Sequence, residues 1–162
     1  MLSELEITGS VSSIDSNAFD DAKYLQKAHV PVASVSSCGM LRELIFEPSP
    51  IEFSESLIKN TRCLNTLNLR ALSIEKLSIT YYSQYETLNN LILPDTIKTI
   101  TLNQRYALTS LKVPDSVTSI SIGDCPIRRL EVKEGCTVKG YQGGNYFCVG
   151  SSSKLPMEIS YR

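Results

Sequence analysis

Leucine and β-branched residues recur along this chain in short alternating segments that are separated by polar turns. The stretch LTSLKVPDSVTSISIGD, residues 108–124, shows this most clearly, because two alternating segments flank the Pro114-Asp115 pair. Alternation with a period of two is typical of a half-buried β-strand. Proline suits the corner between strands, because it removes a hydrogen-bond donor and fixes φ. The stretch therefore predicts two short strands joined by a tight turn.

The first half of this pattern, L-x-x-L-x-[VIL], is repeated along the chain. Seven copies begin at Leu2, Leu25, Leu41, Leu64, Leu88, Leu108 and Ile127. Most copies are followed by a second alternating segment: SVSSID, SIEKLSI, TIKTITL, SVTSISI and CTVKGY. A unit of about 20 residues cannot bury its own apolar face, whereas stacked units form a continuous core with parallel ladders. The pattern predicts a β-rich solenoid of about seven stacked strand units with little helix, over residues 1–140.

The two ends of the repeat array differ. The repeat fades after Val138, and a strand candidate, MEISY, follows glycine- and serine-rich segments. Because a terminal repeat must cover its open apolar end, residues 141–162 are predicted to form a C-terminal cap of the same domain. Leu2 opens a repeat at once and leaves no room for an N-terminal cap. Two interpretations stay open: a piece of a longer array, or a first unit that pairs with another molecule, including a second copy.

The repeats resemble those of the BspA-like leucine-rich repeat family. Residues 2–24, LSELEITGSVSSIDSNAFDDAKY, look like a full unit of that family and include its Ala18-Phe19 pair. Cys38 stands three residues before a repeat leucine, where the family often places a cysteine. The resemblance covers roughly residues 2–140, although the asparagine ladder of many leucine-rich repeats is absent. It implies a solenoid fold and a role in recognition or adhesion, often at bacterial or protist surfaces.

Composition excludes several classes of partner. The net charge is −1 and no run of Lys or Arg exceeds two residues, which disfavours binding to nucleic acid. No apolar run approaches the roughly 18 residues of a membrane helix, so no membrane insertion is expected. The N-terminal MLSELEITGS lacks the basic and apolar regions of a signal peptide. The compartment stays open, and only the family resemblance suggests a secreted or cell-surface protein.

The cysteines do not form a metal-binding pattern. There are five cysteines without a C-x-x-C pair, and His29 is the only histidine, so no metal site is expected. Free, buried thiols are the favoured interpretation, with a Cys136–Cys148 disulfide as the alternative. Cys38 and Cys63 both precede repeat leucines and are predicted to fill the corners of the solenoid.

The sequence supports no catalytic constellation. His29 is predicted to be a solvated, outward-pointing residue, and Asp20-Asp21 to be a solvated corner. No G-x-S-x-G, P-loop or G-x-G-x-x-G motif occurs, so neither an active site nor a cofactor is expected. The chain is therefore predicted not to be an enzyme.

The outward positions of the repeated first strands are the main candidate for a binding surface. Strand alternation points one residue of each copy away from the core, and these residues are Glu6, His29, Ile45, Asn68, Ile92, Lys112 and Glu131. Ile45 and Ile92 flank Asn68, and Lys112 follows, which gives an apolar centre with a charged rim. Two other interpretations stay open: isolated surface isoleucines are ordinary on a β face, or the cap or a neighbour covers them. Tyr81, Tyr82 and Tyr85 form a second candidate, or fold back over the edge of the solenoid.

Two functions follow from this interpretation. The favoured one is a non-catalytic binding module that recognises a protein or a glycan through its strand ladder. The alternative, motivated by the uncapped first repeat, is a structural component of a larger array, coat or virion. The ligand itself cannot be predicted, because solenoid folds do not encode ligand identity.

Overall fold

The structure is a computed structural model that describes most of the chain. It covers residues 2–9, 11, 15, 17–49, 51–80, 87–103, 107–123, 127–142, 145–148 and 158–162. The second segment predicted in SVSSID and the tyrosine cluster Tyr81, Tyr82 and Tyr85 lie mostly or wholly outside these residues.

The described residues form short strands separated by turns. In chain order the strands are β1 (Glu4–Glu6), β2 (Lys27–Pro31), β3 (Glu43–Glu47), β4 (Thr66–Asn68), β5 (Lys76–Ile79), β6 (Asn90–Ile92), β7 (Thr99–Asn103), β8 (Ser110–Lys112), β9 (Ser119–Gly123), β10 (Arg129–Val132), β11 (Thr137–Gln142), β12 (Asn145–Cys148) and β13 (Glu158–Tyr161). A short 3-10 helix spans Glu55–Ile58. The strand predicted in MEISY is present as β13.

The first strands of the repeats pair in parallel, as predicted, but in two separate sheets. The first-strand sheet has the order β1-β2-β3-β4-β6, and the end sheet has the order β13-β10-β8. The prediction of one unbroken ladder is therefore wrong at the step from β6 to β8.

The second strands form a further sheet in the later repeats. This second-strand sheet has the order β12-β11-β9-β7-β5; its first four strands in sequence pair in parallel, and β12 pairs antiparallel with β11. β5 has buried leucine and isoleucine at alternate positions, as the period-two pattern predicts. The earlier repeats turn through the 3-10 helix or through buried extended chain instead.

One hydrophobic core lies between these sheets. It contains the signature leucines of successive repeats, such as Leu44, Leu67, Leu91 and Leu111, together with the apolar residues of the second strands. The equivalent residues stack, because the registers align Leu44 with Leu67 and Leu67 with Leu91. The fold is thus the β-solenoid with almost no helix that the repeats predict.

Two kinds of turn set the repeat length. Asp21, Ser37 and Asn60 have left-handed φ angles of 58°, 62° and 62°, and each stands four residues before a repeat leucine. Two of these turns are hydrogen-bonded to the turn of the following repeat, since Asp21 N–H donates to Ser36 C=O and Ser37 N–H donates to Lys59 C=O. The predicted proline corners are also present, because Ile97 N–H donates to Pro94 C=O and Val117 N–H donates to Pro114 C=O.

The turn positions explain the cysteines. Cys38 is buried, as predicted, and stands three residues before its repeat leucine, where Thr61 is also buried. Cys63 is exposed, so the prediction that it fills a corner is wrong. It stands one residue before a repeat leucine, and the equivalent Tyr24 and Met40 are exposed as well. Cys38, Cys63 and Cys136 are free thiols.

Within the described residues, none of the helical structure is both long and apolar enough to cross a membrane.

Candidate functional site

The outward positions of the first-strand sheet form a straight row. The registers place Glu6 beside His29, His29 beside Ile45, Ile45 beside Asn68, and Asn68 beside Ile92. Paired strands are about 4.8 Å apart, so five rungs give a row about 19 Å long. We call these five residues the ladder row. The predicted outward direction is confirmed for all five, since their neighbours along each strand face the core.

The centre of the ladder row is apolar around one amide. Ile45, Asn68 and Ile92 are half-buried, while Leu91 beside Ile92 is buried. The Asn68 side chain is already oriented, because its Oδ1 accepts a hydrogen bond from Arg70 N–H at 3.0 Å. The three residues therefore offer two aliphatic surfaces separated by an amide, on a backbone that is fixed by the sheet on both sides of β3 and β4.

The first rungs of the ladder row are polar, with acidic and basic side chains around His29. His29 Nε2 lies 2.6 Å from Glu47 Oε1, and its Nδ1 lies 3.7 Å from Glu6 Oε1. Lys27 lies 4.0 Å from both Glu4 and Glu43 on the neighbouring strands. The histidine is outward, as predicted, but two carboxylates hold it instead of solvent alone.

Lys112 does not continue the ladder row. It lies on β8 in the end sheet, where its Nζ is 3.5 Å from Glu131 Oε1 on β10. The prediction that places Lys112 beside Ile92 in one ladder is therefore wrong.

Between Ile92 and Lys112 lies a cleft that the sequence reasoning missed. Its volume is about 850 Å³, and its walls are the two strands β6 and β8 together with the chain that follows each. Three cations, Arg70, Lys112 and Arg162, and two acids, Asp95 and Asp115, line it. We call this feature the β6–β8 cleft.

Arg162 holds the end sheet beside the cleft. Its Nη2 donates to Val113 C=O at 2.5 Å, and its Nε lies 2.8 Å from Glu131 Oε1. Asp115 Oδ1 lies a further 3.5 Å from Nη2. No local pattern signals this contact, because the arginine is 49 residues away from Val113 in sequence.

The other predicted candidate residues are not brought together into one site among the described residues. Asp20 accepts a hydrogen bond from Ser34 Oγ at 2.5 Å and is half-buried, so it is less solvated than predicted. The described residues contain no group of three or more His, Cys, Asp or Glu arranged to hold a metal ion. The tyrosine cluster of residues 81, 82 and 85 lies outside the described residues and stays a prediction.

Burial affects the chemistry of two cysteines. Burial is the main cause that raises the pKa of the Cys38 thiol, and its Sγ donates to Phe19 C=O at 2.9 Å. Burial also raises the pKa of the Cys136 thiol. Both shifts disfavour the reactive thiolate, so neither residue has the environment of a nucleophile.

Comparison with known families gives a match. A family model described as the BspA type leucine-rich repeat region, with six copies, matches residues 1–39 and 30–124. No curated protein and no solved structure matches the chain.

Proposed function

We propose, since the chain belongs to the BspA-type leucine-rich repeat family, that it is a non-catalytic binding module that recognises a partner protein through the ladder row. Repeat solenoids commonly use extended, rigid faces to bind other proteins. The observation that carries the proposal is the alignment of Ile45, Asn68 and Ile92 on three successive strands. A partner can bury apolar surface against these aligned, half-exposed aliphatic residues. Because the sheet already fixes their backbone, binding costs no backbone conformational entropy.

A protein suits this row better than a glycan. Ile45 and Ile92 offer apolar surface and no hydrogen-bonding groups, whereas a glycan surface is dense in hydroxyls. Burying hydroxyls against aliphatic side chains without partners is costly. The polar rungs at Glu6 and His29 supply a polar rim on one side.

The proposal is tested by a charge placed on the ladder row. Ile45→Lys points outward beside Glu43 and Glu47, so it is expected to change the free energy of unfolding by less than about 1 kcal/mol. It places a charge that must be desolvated at the centre of the interface. The matched control is Thr101→Lys, which adds the same charge to an outward, half-buried position of β7.

The measurement is affinity capture with the wild-type chain and both variants, in parallel with a glycan array. We expect at least one protein that the wild type and Thr101→Lys capture and Ile45→Lys loses about tenfold or more. Equal capture by all three chains removes the ladder row as the binding surface. If the wild type binds a glycan on the array and Ile45→Lys does not, the partner is a glycan and not a protein.

The assembly function is supported by one specific observation. The outer edge of β1 pairs with no strand among the described residues, and Leu2 beside it is 60% exposed. An exposed strand edge is a template for pairing with another chain. Light scattering between about 10 and 500 μM tests this candidate, since self-association through β1 raises the mean mass with concentration and a constant monomer mass removes it.

A further inference from the structure

The step from β6 to β8 lacks a set of hydrogen bonds that the other first-strand steps have. We call a step closed when the first strands of two successive repeats pair. At each closed step, two consecutive N–H groups before or at the start of a strand donate to one carbonyl of the preceding rung. The donor pairs and acceptors are Gln26 and Lys27 to Ser3, Arg42 and Glu43 to Gln26, Asn65 and Thr66 to Arg42, Asn89 and Asn90 to Asn65, and Arg128 and Arg129 to Thr109. By this periodicity Thr109 and Ser110 should donate to Asn89 C=O, and in residues 87–93 and 107–113 no such bond occurs. The ladder is interrupted at this step only on the first-strand side, because β7 and β9 remain paired.

The interruption leaves backbone groups of both strands facing the cleft. Asn90 N–H donates to Asn65 C=O and Ile92 C=O accepts from Leu69 N–H, at the two ends of β4. Because successive residues of a strand direct their peptide groups to opposite edges, Leu91 N–H and C=O face β8. On the other wall, Val113 N–H bonds to β10. The peptide groups of Ser110 and Lys112 therefore face β6. Ser110 and Lys112 are exposed and Leu91 borders the cleft, so these peptide groups bond to water in the free chain and are available to a partner.

The gap between β6 and β8 is wider than the spacing of paired strands. Most Cα pairs between β6 and β8 are more than 8 Å apart, whereas neighbouring strands lie about 4.8 Å apart and strands flanking a third lie about 9.6 Å apart. The gap also uncovers the core slightly. Leu91 and Leu93 are 7% and 6% exposed, while the equivalent Leu67 and Leu69 at the closed step are 0% exposed.

The charges at the cleft favour an acidic residue in that space. On the first-strand sheet Lys27 has a glutamate on each neighbouring strand, Glu4 and Glu43. Lys112 occupies the same kind of outward position but has a glutamate on one side alone, Glu131 on β10. Its other side is the cleft. An acidic residue placed there completes the arrangement and contributes an opposite-charge cross-strand pair.

We infer that the β6–β8 cleft binds an extended segment of a partner protein as an additional parallel strand, with the pattern apolar–acidic–apolar. The inference deepens the proposed binding function and rests on it. Strand addition at an exposed sheet edge is a common way to recognise peptides, with main-chain bonds giving affinity and side-chain positions giving selectivity. In the cleft, both long edges of the bound segment lie beside a strand, with β6 on one side and β8 on the other.

The register specifies the segment. Its two apolar residues lie at the levels of Leu91 and Leu93, and its acidic residue lies between Ile92 and Lys112. The peptide groups of the bound segment form hydrogen bonds alternately with Leu91 on one wall and with Ser110 and Lys112 on the other wall. This is the pattern of every closed step. The chain's own Leu130-Glu131-Val132 has this sequence and occupies the equivalent level of the next rung.

The inference is tested with synthetic peptides. The probe is a capped hexapeptide, Thr-Ser-Leu-Glu-Val-Pro, titrated against the full chain and followed by NMR chemical shifts and by fluorescence anisotropy of a labelled form. We expect the amide signals of Leu91, Leu93, Ser110 and Lys112 to shift. A peptide with Lys in place of Glu is expected to bind about tenfold more weakly, and the same peptide with an N-methylated Glu to lose binding, because its bond to Leu91 C=O is removed.

Lys112→Met provides the matched protein variant. It keeps an unbranched side chain of similar length, so the end sheet is expected to stay folded, and the advantage of the Glu peptide over the Lys peptide should fall to about twofold or less. Absence of shifts at millimolar peptide, or equal binding of the N-methylated peptide, overturns the inference. A chain dimer that the peptide dissociates also overturns it, because a second copy is then the occupant.

An engineered disulfide tests the opening itself in a Cys63→Ser background. Asn90→Cys with Ser110→Cys spans the cleft, and Thr66→Cys with Asn90→Cys spans the closed step. Cysteines with Cα atoms more than about 7 Å apart cannot be bridged without backbone movement. We expect the closed-step pair to oxidise at least about tenfold faster than the cleft pair, and added peptide to slow the cleft pair further. Equal rates mean that β6 and β8 pair directly.

The peptide experiment and the capture experiment fail separately. If the ladder row is the only binding surface, the peptide does not bind and Ile45→Lys still abolishes capture. That outcome removes the inference and keeps the proposed function. Peptide binding persists in Ile45→Lys while capture is unaffected if the ladder row is not used, which removes the proposed surface and keeps the cleft.

Discussion

Two neighbouring steps of the same solenoid are built differently. β4 and β6 pair along their length, whereas β6 and β8 are separated by a cleft, although LNTLNL, LNNLIL and LTSLKV carry the same motif. In both steps the signature leucines enter the core. The comparison shows that the leucine motif specifies which face of a strand is buried and does not specify whether successive strands pair.

The energetics allow this difference. A backbone hydrogen bond contributes a net of about 1 kcal/mol, because folding exchanges it for bonds to water. A fully buried leucine contributes about 2–3 kcal/mol, and each rung buries several apolar residues. The core and the paired β7 and β9 therefore hold the repeats together while the first-strand side is open. The stability of the solenoid does not require a closed ladder at every step.

The largest expected effect compares equivalent leucines at the two steps. Leu67→Ala should lower the free energy of unfolding by about 3–5 kcal/mol, because the enclosed site cannot collapse around the cavity. Leu91→Ala should cost less, about 2–3 kcal/mol, since its side chain borders the cleft and water or neighbouring side chains can fill the space. Urea denaturation of both variants measures the difference. A cost for Leu91→Ala that equals or exceeds that of Leu67→Ala shows that the two sites are enclosed alike.

A smaller effect is expected from the residue that supports the far wall of the cleft. Arg162→Met keeps the apolar stem but removes the bonds to Val113 C=O and Glu131. Because the side chain is one-third exposed, we expect a loss of about 1 kcal/mol, or roughly 2–4 °C in melting temperature. Lys98→Met is the control, because it breaks an exposed pair with Glu75 just before the second strands begin, and it should change the melting temperature less. A reversed order of the two variants rules out the anchoring role of Arg162.

The smallest effect sharpens the description of the closed repeats and changes no stability. Cys63 is exposed and should react with a thiol reagent within seconds at pH 8. Cys38 is buried and its pKa is raised, so at the same pH it holds less thiolate and should react only as fast as the chain opens. After unfolding, all five cysteines should titrate as free thiols; fewer would indicate a disulfide. Equal native rates for Cys38 and Cys63, measured with single Cys→Ser variants, contradict the turn alignment.

Much of the fold follows from the sequence because the hydrophobic effect is read directly from residue types. Alternation predicts the inward Leu91 and the outward Ile92, and the proline pairs predict the corners. The fate of Cys63 did not follow from proximity to a leucine. It depends on the position within the turn, which the left-handed residues Asp21, Ser37 and Asn60 define and no apolar pattern reveals.

The cleft could not be predicted for a related reason. Strand pairing is made by backbone groups that every residue except proline carries, so the residue types at Ser110 and Lys112 contain no record of whether those groups are paired. The contact of Arg162 with Val113 joins distant repeats through a single side chain. Sequence periodicity describes what the repeats share, and both features arise where one step differs from the others.

Amide hydrogen exchange tests the open step most directly. Leu69 and Leu93 occupy the same position in successive rungs, and both side chains are buried. Leu69 N–H donates to Ile92 C=O at 2.9 Å across the closed step, whereas the equivalent bond from Leu93 to Lys112 is absent in this part of the chain. The structure predicts that Leu93 N–H exchanges at least about 100-fold faster than Leu69 N–H in native conditions. Equal protection of the two amides would show that β6 and β8 are paired and would contradict the cleft.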